Sequence, residues 1–127
     1  KPSDQDRLSA IVVEIGDIAA AIDSLEPRLR AERLVASDIV CQQVRSQFAK
    51  VMRALVEASL AVHAANRDFT AFADHMNRSD VSWTSLNPAF PLFAGAPVDP
   101  NGPLARFLGD AVEGGWLKSS DMPMEFR

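Results

Sequence analysis

The chain has 127 residues, an apolar content of 47% and a formal net charge of −4. This length is typical of one domain and this apolar content is enough for a hydrophobic core, which argues against disorder throughout the chain. Aromatic residues make up only 7% and tyrosine is absent. We predict an all-α protein, because β-branched and aromatic residues would be expected to collect in a sheet.

The charge is distributed unevenly along the chain. Residues 41–78 hold five basic and three acidic groups, whereas acidic groups dominate on both sides of them. A nucleic-acid binder that works by releasing phosphate counterions has a denser positive face than this, so we expect no nucleic-acid contact for this segment. Charged residues also interrupt the apolar stretches, so we expect a soluble protein without membrane contact.

Two runs of apolar residues follow the alternating three- and four-residue spacing of a heptad repeat. The first run consists of Leu8, Ile11, Ile15, Ile18, Ile22, Leu25 and Leu29. A second run, from Val44 to Met76, keeps the spacing but does not continue the frame of the first. The pattern predicts two long helices with apolar seams, and the predicted oligomer interface is Leu8, Ile15, Ile22, Leu29, Val44, Phe48, Val51, Leu55, Val62, Phe69 and Phe72.

The first helix is predicted over residues 4–36 and the second over residues 38–78, within a single helical domain, 1–127. Ser3 or Asp4 can cap the first helix. The Ser37-Asp38 pair, where the first heptad frame is lost, offers a cap for the second.

Pro27 predicts a kink or break in the first helix near residues 23–27. Inside a continuous helix its ring would clash with the carbonyl group of Asp23. Whether residues 25–36 belong to the first helix, to the second or to a short separate helix stays open.

The sequence changes character after Arg78. Five of the eight prolines lie between Pro88 and Pro103, which predicts a loop or arm over residues 79–100. A short third helix is predicted over residues 101–114 and a tail over 115–127. The aromatic residues of these segments are candidates for contact with the helices or with another chain: Trp83, Phe90, Phe93 and Trp116.

The second predicted helix has more apolar surface than one partner helix can cover. Beside its seam it carries Val40, Met52, Val56, Leu60 and Ala64. Exposed apolar surface costs about 25 cal/mol per Å2, so self-association is favoured. We predict a long helical hairpin or coiled-coil-like bundle, completed by homo-oligomerisation. The alternative is a monomer whose core is completed by the arm and the third helix.

No combination of residues predicts catalysis or metal binding. His63 and His75 point about 120° apart around an ideal helix, and Cys41 has no neighbouring base. The carboxylates lack the Glu-x-x-His spacing of di-metal bundles, and the glycines form no phosphate-binding loop. We expect a non-enzymatic protein with no cofactor and no metal.

Arg28, Arg30 and Arg33 form a candidate basic patch. Glu26 and Glu32 offset part of its charge. Salt bridges within or between subunits are therefore favoured over phosphate contact.

Several segments within residues 50–117 carry a resemblance to a known group of proteins. They are Leu55–Ala61, Asn66–Phe69, Val81–Trp83 with the proline-rich loop after it, Asp99–Asn101, Ala105–Leu108 and Gly114–Leu117. These segments resemble uncharacterised small helical proteins associated with bacterial prophages. The resemblance implies a viral or mobile-element context and no active site. Together with the single cysteine, it leads us to expect a bacterial cytoplasmic protein, with virion association as the alternative.

Two functions are consistent with these expectations. The first is a non-enzymatic homo-oligomeric protein that serves phage assembly, scaffolding or packaging, whose partners are itself and a phage structural or packaging protein. The alternative is the oligomerisation part of a DNA-linked regulator or small packaging subunit, with its DNA-binding region outside this sequence. Lys1 is not an initiator residue, so we expect a longer parent protein.

Overall fold

The computed structural model describes residues 3–127, and its first element is a helix, α1, that spans Asp4–Arg78. Ser3 caps this helix. Its hydroxyl oxygen accepts a hydrogen bond from the backbone N–H of Asp6 at 3.1 Å, while its own backbone N–H donates to the Asp6 carboxylate at 3.0 Å. Hydrogen bonds from Ser3 to the Asp6 carboxylate hold the pKa of Asp6 below its ordinary value. The bond from the Ser3 hydroxyl group is the larger cause, and the bond from the Ser3 backbone N–H is the smaller. The predicted start of the first helix is therefore confirmed.

The helix continues through the predicted break, so the division into helices over 4–36 and 38–78 is wrong, as is the hairpin turn between them. Pro27 lies inside α1 and removes one backbone hydrogen bond, at a cost of about 3 kcal/mol. Good helix formers on both sides of the proline continue the helix. Asp38, which was expected to be a cap, accepts a side-chain hydrogen bond from Gln42 at 3.3 Å, one turn further along the helix.

The change of heptad frame also needs no break. Apolar residues separated by four positions connect the two frames: Ala36, Val40, Val44 and Phe48. Extra four-residue steps of this kind change the local winding of a seam without ending the helix. Two heptad frames can therefore occupy one helix.

The internal contacts divide the chain into two compact units, Lys1–Arg45 and Ser46–Arg127. The described part of the first unit is helical after Ser3, and all of its residues are exposed. The second unit contains the rest of α1, the loop and a second helix, α2, which spans Pro103–Glu113. It also contains four short 3-10 turns, at Thr84–Leu86, Leu92–Ala94, Ser119–Asp121 and Met124–Phe126. Residues 3–127 contain no strand, so the all-α prediction is confirmed.

The core of the second unit lies where α2 and the C-terminal residues cover one face of α1. Leu108 of α2 is fully buried there. Around it pack Val56 of α1 together with Ala111, Leu117 and Met122. The short helix predicted over residues 101–114 is confirmed within two residues at each end, and the residues that follow it complete the core.

Residues 115–127 are part of this packed unit, so the prediction of a tail is wrong. Met122 is buried, and Phe126 packs against the core. The guanidinium group of Arg127 donates to the backbone carbonyl oxygen of Met122 at 3.0 Å and to that of Ser120. These bonds hold the last turn in place.

Within the described residues, no helix combines the length and the apolarity that crossing a bilayer requires.

Candidate interaction surface

The first unit presents an uncovered apolar seam along its helix. Each of its seam side chains is between 49% and 65% exposed. The seam members are Leu8, Ile11, Ile15, Ile18, Ile22, Leu25 and Leu29. Scattered exposed apolar residues are ordinary on a protein surface, but a continuous line of branched aliphatic side chains marks an interaction surface.

In the second unit, part of the predicted seam stays open and part is covered. Phe48, Val51 and Leu55 are about half exposed. Val62 and Phe69, closer to the loop, are partly buried. Phe72, the last predicted interface residue, is again 45% exposed. The predicted interface of this unit is therefore open at both ends and partly covered between them.

Within the second unit, the chain covers the second apolar set of α1 and leaves part of the seam of α1 exposed. Val56 is 4% exposed, and Leu60 packs against the same core. The next residues along this face are polar: His63 is 3% exposed and Asn66 is 5% exposed. The arm and α2 fold back on this face, while Phe48, Val51 and Leu55 of the seam stay about half exposed.

The aromatic residues of the arm pack mainly on their own helix. The ring centroid of Trp83 lies 6.0 Å from those of Phe69 and Phe72 and 5.8 Å from that of Phe90. The indole N–H of Trp83 donates to the side-chain oxygen of Asn77 at 3.1 Å. Trp83 therefore anchors the arm rather than projecting toward a partner.

The arm is anchored a second time at Asn66, whose side-chain amide donates to the carbonyl oxygen of Gly95 at 2.9 Å. Gly95 has a φ of +70°, and a Cβ there would lie 2.9 Å from the ring of Pro103. Only glycine fits this turn without strain. Between the two anchors, Leu92 and Phe93 stay largely exposed, so Phe93 is the predicted partner-binding aromatic that remains most available.

Trp116, the fourth aromatic candidate, follows α2. Its ring lies 5.4 Å from that of Phe48 in an edge-to-face arrangement. This contact ties the residues after α2 to the beginning of the second unit, and Trp116 is only partly exposed. The sequence allowed Trp116 to contact the helices or another chain, and the structure shows the contact with α1.

A polar cluster lies under the C-terminal turn. The Nε2 atom of His63 is 3.6 Å from the carboxylate of Glu125, which is longer than a hydrogen bond, and neither ring nitrogen of His63 has a hydrogen-bond partner. The guanidinium group of Arg67 lies 3.0 Å from the same carboxylate. The ring of Phe126 lies 4.4 Å from the imidazole. This cluster fastens the C-terminal turn to α1.

The Glu125 carboxyl has a pKa below its ordinary value of 4.5. The hydrogen bond from its own backbone N–H is the largest cause, and the positive charge of Arg67 acts in the same direction, while burial opposes both. A lowered pKa in the folded state means that the charged form stabilises the fold. Sequence reasoning missed this site, because residues 63 and 125 are far apart in the chain and no local pattern relates them.

We expect Glu125→Gln to lower the melting temperature of the second unit above pH 5, where Glu125 is charged in both states. The stabilisation is lost as the pH falls below 4.5 toward the lower folded pKa, so the difference from the unmodified protein shrinks there. Thermal melts at several pH values, followed by tryptophan fluorescence, measure this. A difference that does not depend on pH would contradict it.

The candidate basic patch does not form one face. Arg28, Arg30 and Arg33 are all exposed. On a helix with 100° per residue, the angle around the axis between Arg28 and Arg30 is about 200°. The angle between Arg28 and Arg33 is about 140°. The three charges spread around α1 rather than converging on one phosphate group.

No group of three or more His, Cys, Asp or Glu side chains that could hold a metal ion is found within residues 3–127. Cys41 is a free and exposed thiol.

Comparisons with protein-family models, with curated proteins and with solved structures find no match to this chain. The candidate site with the longest exposed apolar surface is the uncovered seam of the first unit.

Proposed function

We propose that this protein is a non-enzymatic, homo-oligomeric helical protein whose assembly uses the apolar seam of the first unit. The observation that supports the proposal most is the exposure of the seam from Leu8 to Leu29 on a helix that no other described element of its unit covers. A lone amphipathic helix gains most of its stability from packing of its apolar face. A second copy of the same chain offers a matching apolar face.

The size of the apolar gain is adequate for association. Full burial of a large aliphatic side chain contributes about 1.5–3 kcal/mol. With roughly half of that available at each of the seven seam positions, two chains together gain on the order of 15 kcal/mol. The loss of translational and rotational freedom costs about 4–15 kcal/mol. The apolar gain therefore equals or exceeds this cost, which supports self-association.

The non-enzymatic part of the proposal is supported by how the polar cluster is packed. The Glu125 carboxylate lies 3.6 Å from His63 and 3.0 Å from Arg67, and His63 lies under the ring of Phe126. A histidine so covered is fit to hold a turn rather than to exchange protons with a substrate.

A role in phage assembly, scaffolding or packaging is the finer part of the proposal. It is supported by the resemblance of segments within residues 50–117 to prophage-associated helical proteins. The exposed Leu92 and Phe93 of the arm would then contact a structural or packaging protein of the particle.

Light scattering coupled to size exclusion tests the proposed self-association directly. We expect a mass of at least two chains that falls toward one chain on dilution, because association is governed by mass action. A mass of one chain at every concentration up to the highest soluble one would overturn the proposal.

A further inference from the structure

We infer that two copies of this chain pair antiparallel through residues 11–29. The inference rests on the proposed function and adds the direction and register of the pair. It follows from the positions of charged residues beside the uncovered seam, because flanking charges set the orientation of paired helices.

The seam residues match well when one helix is reversed. With Leu8 at heptad position a, the a positions of one helix face the d positions of the other. A register centred on residue 20 places Ile18 against Ile22, Ile15 against Leu25 and Ile11 against Leu29 of the second copy. Each contact occurs twice by symmetry, so six consecutive apolar layers form.

The flanking g positions then match in charge. In an antiparallel pair, g positions face g positions, and this register places Glu14 beside Arg28 of the second copy, twice. Both side chains are exposed, and neither forms an ion pair with another residue within the described part of its own chain. Opposite charges beside an apolar seam favour this orientation.

A parallel pair would lack this match. Its g positions face the e positions five residues further along the other helix. Arg28 would then face Arg33, while Glu14 would face Ala19, so the parallel arrangement gains this repulsion twice by symmetry and no attraction from Glu14. The charges therefore select the antiparallel direction.

Leu8 lies outside the six apolar layers, because this register places it against Glu32 of the second copy. The positions near the centre agree with the register. Ala19 and Ala21 lie at the e and g positions nearest its centre, where small side chains let two backbones approach closely. Pro27 lies at the f position, on the side of the helix away from the seam. A proline there weakens the helix without entering the interface.

Charge reversal tests the direction. We expect Arg28→Glu to raise the dissociation constant of the full chain about tenfold, because two attractions become two repulsions. Glu14→Arg is expected to do the same, and the double variant with both changes should return to within about threefold of the original value, because the pairs are restored with their charges exchanged. Sedimentation equilibrium or light scattering at several concentrations measures these constants.

The outcomes separate this inference from the proposed function. A monomeric unmodified chain overturns both. An oligomer that Arg28→Glu leaves unchanged or tightens overturns only the antiparallel direction, because in a parallel pair this change removes the repulsion between Arg28 and Arg33. An oligomer that the double variant fails to restore also overturns the direction.

Disulfide formation gives an independent readout in a Cys41→Ser background. Under mild oxidation of an equal mixture of Ile11→Cys and Leu29→Cys chains, the antiparallel pair yields the mixed disulfide in preference to either symmetric one. Peptide mapping of the disulfide-linked peptides distinguishes the three products, whose intact masses are equal because leucine and isoleucine are isomers. A map dominated by the two symmetric disulfides would overturn the antiparallel direction.

Discussion

Replacing Ile18 and Ile22 together with aspartate is expected to convert the oligomer into single chains. Both side chains are about half exposed in one chain and lie in the middle of the uncovered seam. Any pairing of this seam with a second copy would bury the two new carboxylates, and an unpaired buried charge costs several kcal/mol. Light scattering coupled to size exclusion should show the mass of one chain at concentrations where the unmodified protein is oligomeric.

The matched control replaces two apolar residues on the opposite side of the same helix. Val13 and Leu34 are 63% and 68% exposed and occupy f positions in the heptad frame of Leu8. Val13→Asp with Leu34→Asp also introduces two negative charges, but outside the seam, so its oligomeric mass should not change. Equal dissociation of both double variants would show that charge or helix loss, not the seam, is responsible. Far-ultraviolet circular dichroism of each variant measures the helix content that remains.

The features that depend on local sequence could be predicted. The helix start at Ser3 follows from a side chain that accepts hydrogen bonds from free backbone N–H groups. α2 follows from an amphipathic run between Pro103 and Gly114. The irregular arm follows from its prolines, which fix backbone angles and remove hydrogen-bond donors. Each of these effects acts within a few residues.

The continuity of α1 could not be predicted from the same local rules. Pro27 has a known cost in a helix interior, but that cost competes with the hydrogen bonds and propensities of many flanking residues. The change of heptad frame predicts a boundary, although a four-residue insertion produces the same pattern within one helix. The free-energy cost of Pro27 marks the position where a break is favoured. The free energy summed over the whole helix decides whether the break occurs.

The apolar residues of the candidate surface could be predicted from the sequence. Which of them stay exposed in the folded chain could not. Heptad spacing identified the seam and a second apolar set, and both looked equally suited to another chain. The structure shows that the second set, at Val56 and Leu60, is covered by α2 and the C-terminal turn. Contacts such as Glu125 with Arg67 join residues far apart in sequence, and no periodicity encodes them.

Truncating Leu108 to alanine should destabilise the second unit by about 3 kcal/mol, within the range found for buried leucines. Leu108 is fully buried, and its removal leaves a cavity against Val56 and Met122. Urea unfolding followed by tryptophan fluorescence measures the loss, because Trp116 packs on Phe48 in the same unit. The control is Leu92→Ala, which removes the same atoms from a side chain that is 85% exposed and should change stability by less than about 0.5 kcal/mol.

The same pair of variants separates assembly from folding of the second unit. If the seam of the first unit holds the copies together, Leu108→Ala lowers the unfolding midpoint while the oligomeric mass in the absence of urea stays unchanged. Ile18→Asp with Ile22→Asp should give the reverse result, a single-chain mass with the tryptophan-detected stability of the second unit retained. Loss of the oligomer in Leu108→Ala under native conditions would show that the core around Leu108 takes part in the interface. The two variants together therefore assign association and internal packing to different stretches of the chain.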